Sequence, residues 1–308
     1  MEITRLREGL PPVLPARPVV ALGHFDGFHL GHAAVLATAA AAARELGLPL
    51  LVFTFAAADA PKAGPLLSDD GERAGHFAAA GADYAVFAAF SSVSGYPPRA
   101  FVREVLTGKL RAALAVTGED FRFGAGAAGD AALLRTLLRA EGADAVTVPP
   151  VTEGGEKISS TRIRRALGRG DLREVTALLG RPYALTHTVL HGRHIGHTLG
   201  FPTVNGAPEA LRALPPAGVY GTAVTLPDGR CYRGVTNVGT RPTVGDGDLR
   251  LETHILDFSG DLYGERVTVA FLHRLRDERR FPSLSALAEQ ITKDCKEIRL
   301  WNTPNGHN

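Results

Sequence analysis

The first half of the chain alternates short unbroken apolar runs with longer stretches of helical spacing. The apolar runs are Val19–Leu22, Leu50–Phe55, 84–87, 114–117 and 146–148. Between them, an alanine-rich segment over 33–45 and segments near 72–79, 99–106 and Ala131–Ala140 read as helices. Strands that are apolar on both faces and separated by helices predict an α/β domain with a parallel sheet covered on both sides. Ligands of such sheets bind at the carboxyl ends of the strands.

From about residue 180 the pattern changes. A single helix is predicted over 161–179, stopped by Gly180 and Pro182. Short strands follow at 185–190, 219–226, 231–238, Leu249–Ile255 and 266–272. Turn chemistry separates them, as in Pro227-Asp228-Gly229 and Gly245-Asp246-Gly247. Many short strands with close turns predict an antiparallel β-barrel. A last helix over 283–299 carries Leu284, Leu287, Ile291 and Ile298 at helical spacing. The expected domains are therefore 1–182 and 183–308, which suits a chain of this length at roughly 100–200 residues per domain.

Composition mainly excludes. The chain is 308 residues long, 45% hydrophobic and 21% charged, too apolar for an intrinsically disordered protein. A formal net charge of +2 leaves no footprint of a nucleic-acid binder. No apolar run approaches the ~20 residues that span a bilayer, so no membrane partner is expected. Cys231 and Cys295 occur without any CxxC pair, which excludes a disulfide scaffold and a thiolate zinc site. With no secretory leader pattern after Met1, the expected location is the cytoplasm, as a monomer or weak homo-oligomer.

Two segments carry candidate phosphate chemistry. Gly23-His24-Phe25-Asp26-Gly27-Phe28-His29-Leu30-Gly31-His32 follows the first predicted buried strand and opens a helix. Free N–H groups and the helix dipole favour an anion at such a turn. Gly23, Phe25, Gly27 and Gly31 shape the loop, and His29 and His32 offer imidazole donors to phosphate oxygens. These would act by positioning and charge stabilisation. The second segment is Ile158-Ser159-Ser160-Thr161-Arg162-Ile163-Arg164. Hydroxyls there would cap a helix; Arg164, one turn in, would also grip a triphosphate.

The HxGH and ISSTxxR pair resembles the nucleotidylyltransferase superfamily. Gly118-Glu119-Asp120-Phe121-Arg122-Phe123-Gly124 with Gly129-Asp130 is similar to the substrate loop of bacterial bifunctional riboflavin kinase/FMN adenylyltransferases, also called FAD synthetases. The likeness runs in order over nearly the whole chain. It implies a Rossmann-like nucleotidylyltransferase domain that transfers AMP from ATP to FMN, releasing pyrophosphate, followed by a riboflavin kinase barrel. His29, His32 and Arg164 are then catalytic, and Asp120, Phe121 and Phe123 bind flavin.

In the second half, Gly200-Phe201-Pro202-Thr203-Val204-Asn205 resembles the family's Gly-Phe-Pro-Thr-Ala-Asn signature. Thr203 and Asn205 supply hard oxygen ligands for Mg²⁺. Gly192 and Gly196 occupy the ATP flap, and Asn237 and Arg241 lie in a segment similar to the family's flavin contacts. The resemblance makes Glu252 the base that accepts the riboflavin 5′-hydroxyl proton. One loop departs from the pattern. The family's Thr-Phe-acidic-Pro-His-Pro reads here Thr54-Phe55-Ala56-Ala57-Ala58-Asp59. The alternative this motivates is a riboflavin kinase whose first domain is weak, inactive or specialised for another nucleotide or flavin. A flavin-binding scaffold without turnover would not need all of His29, His32, Arg164, Thr203, Asn205 and Glu252.

Overall fold

The computed structural model describes residues 1–5, 17–59, 64–190, 201–207, 212–240 and 249–301. The expected ATP-flap residues Gly192 and Gly196, and the flavin residue Arg241, lie outside them. The chain divides into two compact units, Met1–Arg162 and Ile163–Asn308.

The first unit is built on a six-stranded parallel sheet in the order β1-β4-β3-β2-β5-β8. Its strands are β1 (Glu2–Arg5), β2 (Val19–Leu22), β3 (Leu50–Phe55), β4 (Tyr84–Ala88), β5 (Leu114–Gly118) and β8 (Asp144–Val148). The unbroken apolar runs follow from burial on both faces. Val20, Leu22, Leu51 and Phe53 pack with Phe101, Leu106, Leu134 and Leu138 on one side. Val19, Ala21, Leu50 and Val52 pack on the other with residues of α1 (Leu30–Leu46) and α2 (Asp70–Ala79). The helix expected near 99–106 begins as α3 (Pro98–Ala100) and runs on as a π-helical stretch, Phe101–Lys109. β1 was not expected, because its polar residues on an exposed edge carry no apolar signal.

Two short ribbons complete this unit: β6 (Arg122–Phe123) with β7 (Gly129–Asp130), and β9 (Thr152–Glu153) with β10 (Glu156–Lys157). Helix α4 (Ala131–Ala140) lies between β7 and β8. The chain turns outward in opposite directions from β2, toward β3 on one side and β5 on the other. In open α/β sheets such a switch in strand order, here between β2 and β5, is where ligands bind at the strands' carboxyl ends.

The single helix expected over 161–179 is instead two, α5 (Ser160–Gly168) and α6 (Leu172–Leu179). Gly170 takes φ +72° and Asp171 starts a new helix by accepting the Glu174 N–H at 3.0 Å. The apolar face shifts across that corner, and Gly168, Gly170 and the Asp171 cap mark it within a stretch that reads as a single helix by composition. α6 packs against β11 (Tyr183–Thr188) and β16 (Arg266–Arg276) and so lies with the second unit.

In the second unit the antiparallel order is β11-β16-β13-β14-β15-β12. The remaining strands are β12 (Thr203–Gly206), β13 (Gly218–Thr225), β14 (Cys231–Thr240) and β15 (Leu249–Ile255). An isolated antiparallel bridge, Leu190 to Asn205, joins the chain after β11 to β12 and curls the outer strands together. Thr222, Thr236 and Thr253 are fully buried and satisfy one another through hydroxyl contacts of 2.9 Å. Helix α7 (Leu284–Leu300) covers one face with Cys295 and Ile298 against Val219, Val235 and Leu256. Arg233 donates to the Ile298 and Trp301 carbonyls at 2.6 Å, closing the end of that helix.

Candidate active sites

The loop between β2 and α1 is held from three directions. The buried Asp26 carboxylate accepts the Leu67 and Ser68 N–H groups, each at 3.0 Å. The Ser68 hydroxyl accepts the Gly27 N–H at 2.7 Å, and the Ser160 hydroxyl donates to the Asp26 carbonyl at 2.8 Å. The start of α5 is thereby pinned to the loop that opens α1. Phe25 and Phe28 both have positive φ, at 51° and 38°. Non-glycine residues adopt that region at a cost, and such strain gathers at functional sites.

His29 is the cap of α1. Its Nδ1 accepts the His32 N–H at 3.2 Å, so the ring proton of the neutral form sits on Nε2. The His29 and His32 rings stack with centroids 3.6 Å apart. The first turn of α1 holds no acidic residue. Burial, and then the neighbouring His29 and His24, push the His32 pKa well below its ordinary value. An imidazole kept uncharged at His32, stacked on the His29 cap at a helix N-terminus, is an arrangement suited to an anion.

Arg73 ties the loop after β2 to the end of β3. Its guanidinium is almost wholly buried and donates to the carbonyls of His24 and Phe55, both at 2.9 Å. It also pairs with Asp70 and lies 5.3 Å over the Phe87 ring. The departing loop after β3 forms one 3₁₀ turn, Ala57–Asp59. The Ala57 N–H donates to Asp70 at 2.9 Å, and the Asp59 carboxylate accepts the Ser91 hydroxyl at 3.0 Å.

The expected ATP residues Gly23, Phe25, Gly27, His29, Gly31, His32, Ser159 and Ser160 converge here. Thr161 is exposed at the start of α5, and the half-buried Arg164 stands one turn on from Ser160, beyond the division at Ile163. Arg162, by contrast, is committed to the backbone, donating to the Glu153 and Glu156 carbonyls at 2.8 and 2.9 Å. Of the expected flavin residues, Asp120 pairs with Lys157. Phe121 stacks on Phe123 at 5.9 Å, while Phe123 itself is buried against Phe101 as the floor beneath it. Asp26 and Arg73 went unnoticed in the sequence. Their signal was a carboxylate inside a phosphate-type loop and an arginine on the apolar face of a helix.

The second site is a row across three strands. Glu252 on β15 stands directly opposite Asn205 on β12 and Asn237 on β14. Cross-strand partners lie about 4.5–5.5 Å apart at Cβ and share a face of the sheet. Asn237 donates through Nδ2 to Glu278 at 2.9 Å. A Cβ on Gly239 would come within 2.5 Å of that Glu278 oxygen, so glycine lets the carboxylate approach. His254 Nδ1 donates to the Pro202 carbonyl at 2.8 Å and packs edge-on against Phe201 at 5.4 Å, anchoring the segment before Thr203.

Among the described residues no group of three or more His, Cys, Asp or Glu is placed to hold a metal ion. Thr203 and the buried Asn205 provide neutral hard oxygens beside Glu252, which fits Mg²⁺ arriving with nucleotide phosphates.

Two family models match the chain: FAD synthetase over residues 13–162 and riboflavin kinase over 179–302. The chain belongs to the bifunctional riboflavin kinase/FMN adenylyltransferase family. Relatives of that name from Escherichia coli K12 and Pseudomonas fluorescens are each 37% identical, over 90% and 94% of both chains. The Bacillus subtilis relative is 34% identical over 92% of both chains. A crystal structure titled a macrolide-efflux protein from Streptococcus pneumoniae superposes with a TM-score of 0.88, at 31% identity, covering 98% of this chain and all of that one. Among the described residues no helix here is long and apolar enough to cross a membrane. Both halves of the family are present in one chain, which supports the two-activity reading over a kinase with an altered first domain.

Proposed function

We propose that residues 183–308 phosphorylate riboflavin with Mg²⁺·ATP to give FMN, and that residues 1–182 adenylylate FMN with ATP to give FAD and pyrophosphate. The kinase half rests on the Asn205–Glu252–Asn237 row. Glu252 accepts the 5′-hydroxyl proton as that oxygen attacks the γ-phosphorus and the bond to ADP breaks. Thr203 and Asn205 hold the Mg²⁺ that neutralises the phosphate charge, and Asn237 orients the flavin.

The adenylyltransfer half rests on the His29 cap at the switch in strand order between β2 and β5. An FMN phosphate oxygen attacks the α-phosphorus of ATP, and the bond to pyrophosphate breaks. His29, His32 and the N–H groups of α1 take up the developing charge, with Arg164 and the Ser159–Ser160 hydroxyls on the triphosphate. Asp120 and Phe121 flank the flavin, and Phe123 supports Phe121 from below. The enzyme works in the cytoplasm as a monomer or weak homo-oligomer.

The test incubates the full chain with riboflavin, ATP and Mg²⁺ and resolves FMN and FAD by chromatography. Both products should appear, with FMN first. FMN alone would remove the adenylyltransfer assignment, and neither product would remove both.

A further inference from the structure

His187 lies on the inward face of β11, which it shares with buried Leu185, and buried Val189 follows just beyond the strand. It is 4% exposed, and among the described residues neither ring nitrogen has a hydrogen-bond partner. A buried polar ring without partners is costly, so its place in the packing needs a reason. The ring lies directly over Gly206. A Cβ on Gly206 would come within 1.9 Å of His187 Cδ2 and 2.2 Å of Nε2. Real side chains do not approach so closely, so the imidazole occupies the volume that a side chain at 206 would need.

Gly206 follows Asn205 on β12. The Leu190 N–H, three residues after His187, donates to the Asn205 carbonyl at 2.8 Å. β11 and β12 therefore meet at two points, a main-chain bond at Asn205 and a ring seated on the next residue. Asn205 in turn faces Glu252. The seam thus has one face committed to packing and the other to the kinase site. Burial lowers the His187 pKa to about 4, with Arg266 contributing, so the ring is neutral and packs as a flat, nearly apolar plate.

We infer that His187 is a positioning residue for the kinase reaction: its ring, locked onto Gly206, sets the place of β12 and so of the Asn205 amide that holds Mg²⁺ beside Glu252. The inference rests on the kinase assignment above. It also makes positions 187 and 206 a matched large–small pair, each intolerant of change alone and tolerant of change together.

The full chain supplies its own control, because FAD formation from added FMN takes place in the other unit. Gly206→Ala should reduce FMN formation and raise the Mg²⁺ concentration for half-maximal rate, each by about 10-fold or more, as overpacking of a closed seam does. The KM for riboflavin and the conversion of added FMN to FAD should stay near wild type. His187→Gly/Gly206→Ala should recover most of the loss. A binding readout needs no turnover: Mn²⁺·ADP should broaden the proton resonances of bound riboflavin in wild type, less in Gly206→Ala, and again in the double variant.

Wild-type Mg²⁺ dependence in Gly206→Ala, or a double variant no better than Gly206→Ala, overturns the inference. If Gly206→Ala does not fold, His187→Ala decides: a raised Mg²⁺ requirement with unchanged riboflavin KM supports the positioning role, and an unchanged requirement ends it. Failure of the kinase assignment looks different, since wild type itself would then make no FMN.

Discussion

The Nδ1 atom of His29 accepts the backbone N–H of His32 at 3.2 Å, while the two imidazoles stack 3.6 Å apart. One side chain thus caps α1 and, in its neutral form, fixes its own tautomer. Local backbone geometry and candidate chemistry are coupled in a single residue.

That coupling predicts a two-part loss in His29→Ala. Removing the cap costs about 1 kcal/mol of helix stability. Removing a transition-state donor lowers FAD formation by about 10²–10³-fold. FMN formation in the same protein should be unchanged. His29→Asn, which can still cap, should recover stability without recovering the rate. Thermal unfolding and a chromatographic assay with added FMN check both parts.

Asp26 touches no substrate in the proposed reaction, yet its loss should be as damaging. Asp26→Ala strands the buried N–H groups of Leu67 and Ser68, and hydrogen bonds to a charged acceptor are worth about 1.5–3 kcal/mol each. The expected result is a first unit that unfolds at lower temperature and makes little FAD, with riboflavin phosphorylation retained. Normal FAD synthesis by this variant would reduce Asp26 to a dispensable turn residue.

Glu252→Gln keeps the shape of the Asn205–Glu252–Asn237 row and removes the base. FMN formation should fall by about 10²–10⁴-fold. Riboflavin should still bind, as read by quenching of its fluorescence, and added FMN should still become FAD. A turnover number near wild type would assign Glu252 to the sheet alone.

Acid should weaken the second unit through His187. Its folded pKa of about 4 lies below the 6.5 of a free imidazole, so between those values the unfolded chain binds more protons. Stability is then fully present above about pH 6.5 and falls as pH drops toward 4, by up to about 3 kcal/mol. Urea unfolding across this range should show a shallower fall in His187→Gln than in wild type. His32 is shifted in the same direction, so the first unit should lose stability on acidification as well. Equal slopes for variant and wild type would exclude His187 as the titrating group.

Much of this protein is legible in its sequence because the determining physics is local or periodic. Unbroken apolar runs such as Leu50–Phe55 announce strands buried on both faces, and the sheet bears this out with Val52 and Phe53 packed on opposite sides. HxGH at a strand-to-helix turn reads as a candidate anion site because that reading needs nothing beyond ten consecutive residues. Tertiary structure alone decided the rest, for reasons of distance along the chain. Asp26 meets Leu67 and Ser68 some forty residues away, and Ser160 comes back to it across 134. No periodicity encodes such partners. The corner at Gly170 carried local signals, two glycines and the Asp171 cap, but the chain's continued helical content concealed it until the positive φ showed two helices. The lock between His187 and Gly206 depends on β11 and β12 being brought together at the seam of a curled sheet. Neither residue carries that information alone, because a glycine is free to be anything until another chain segment fills the space beside it.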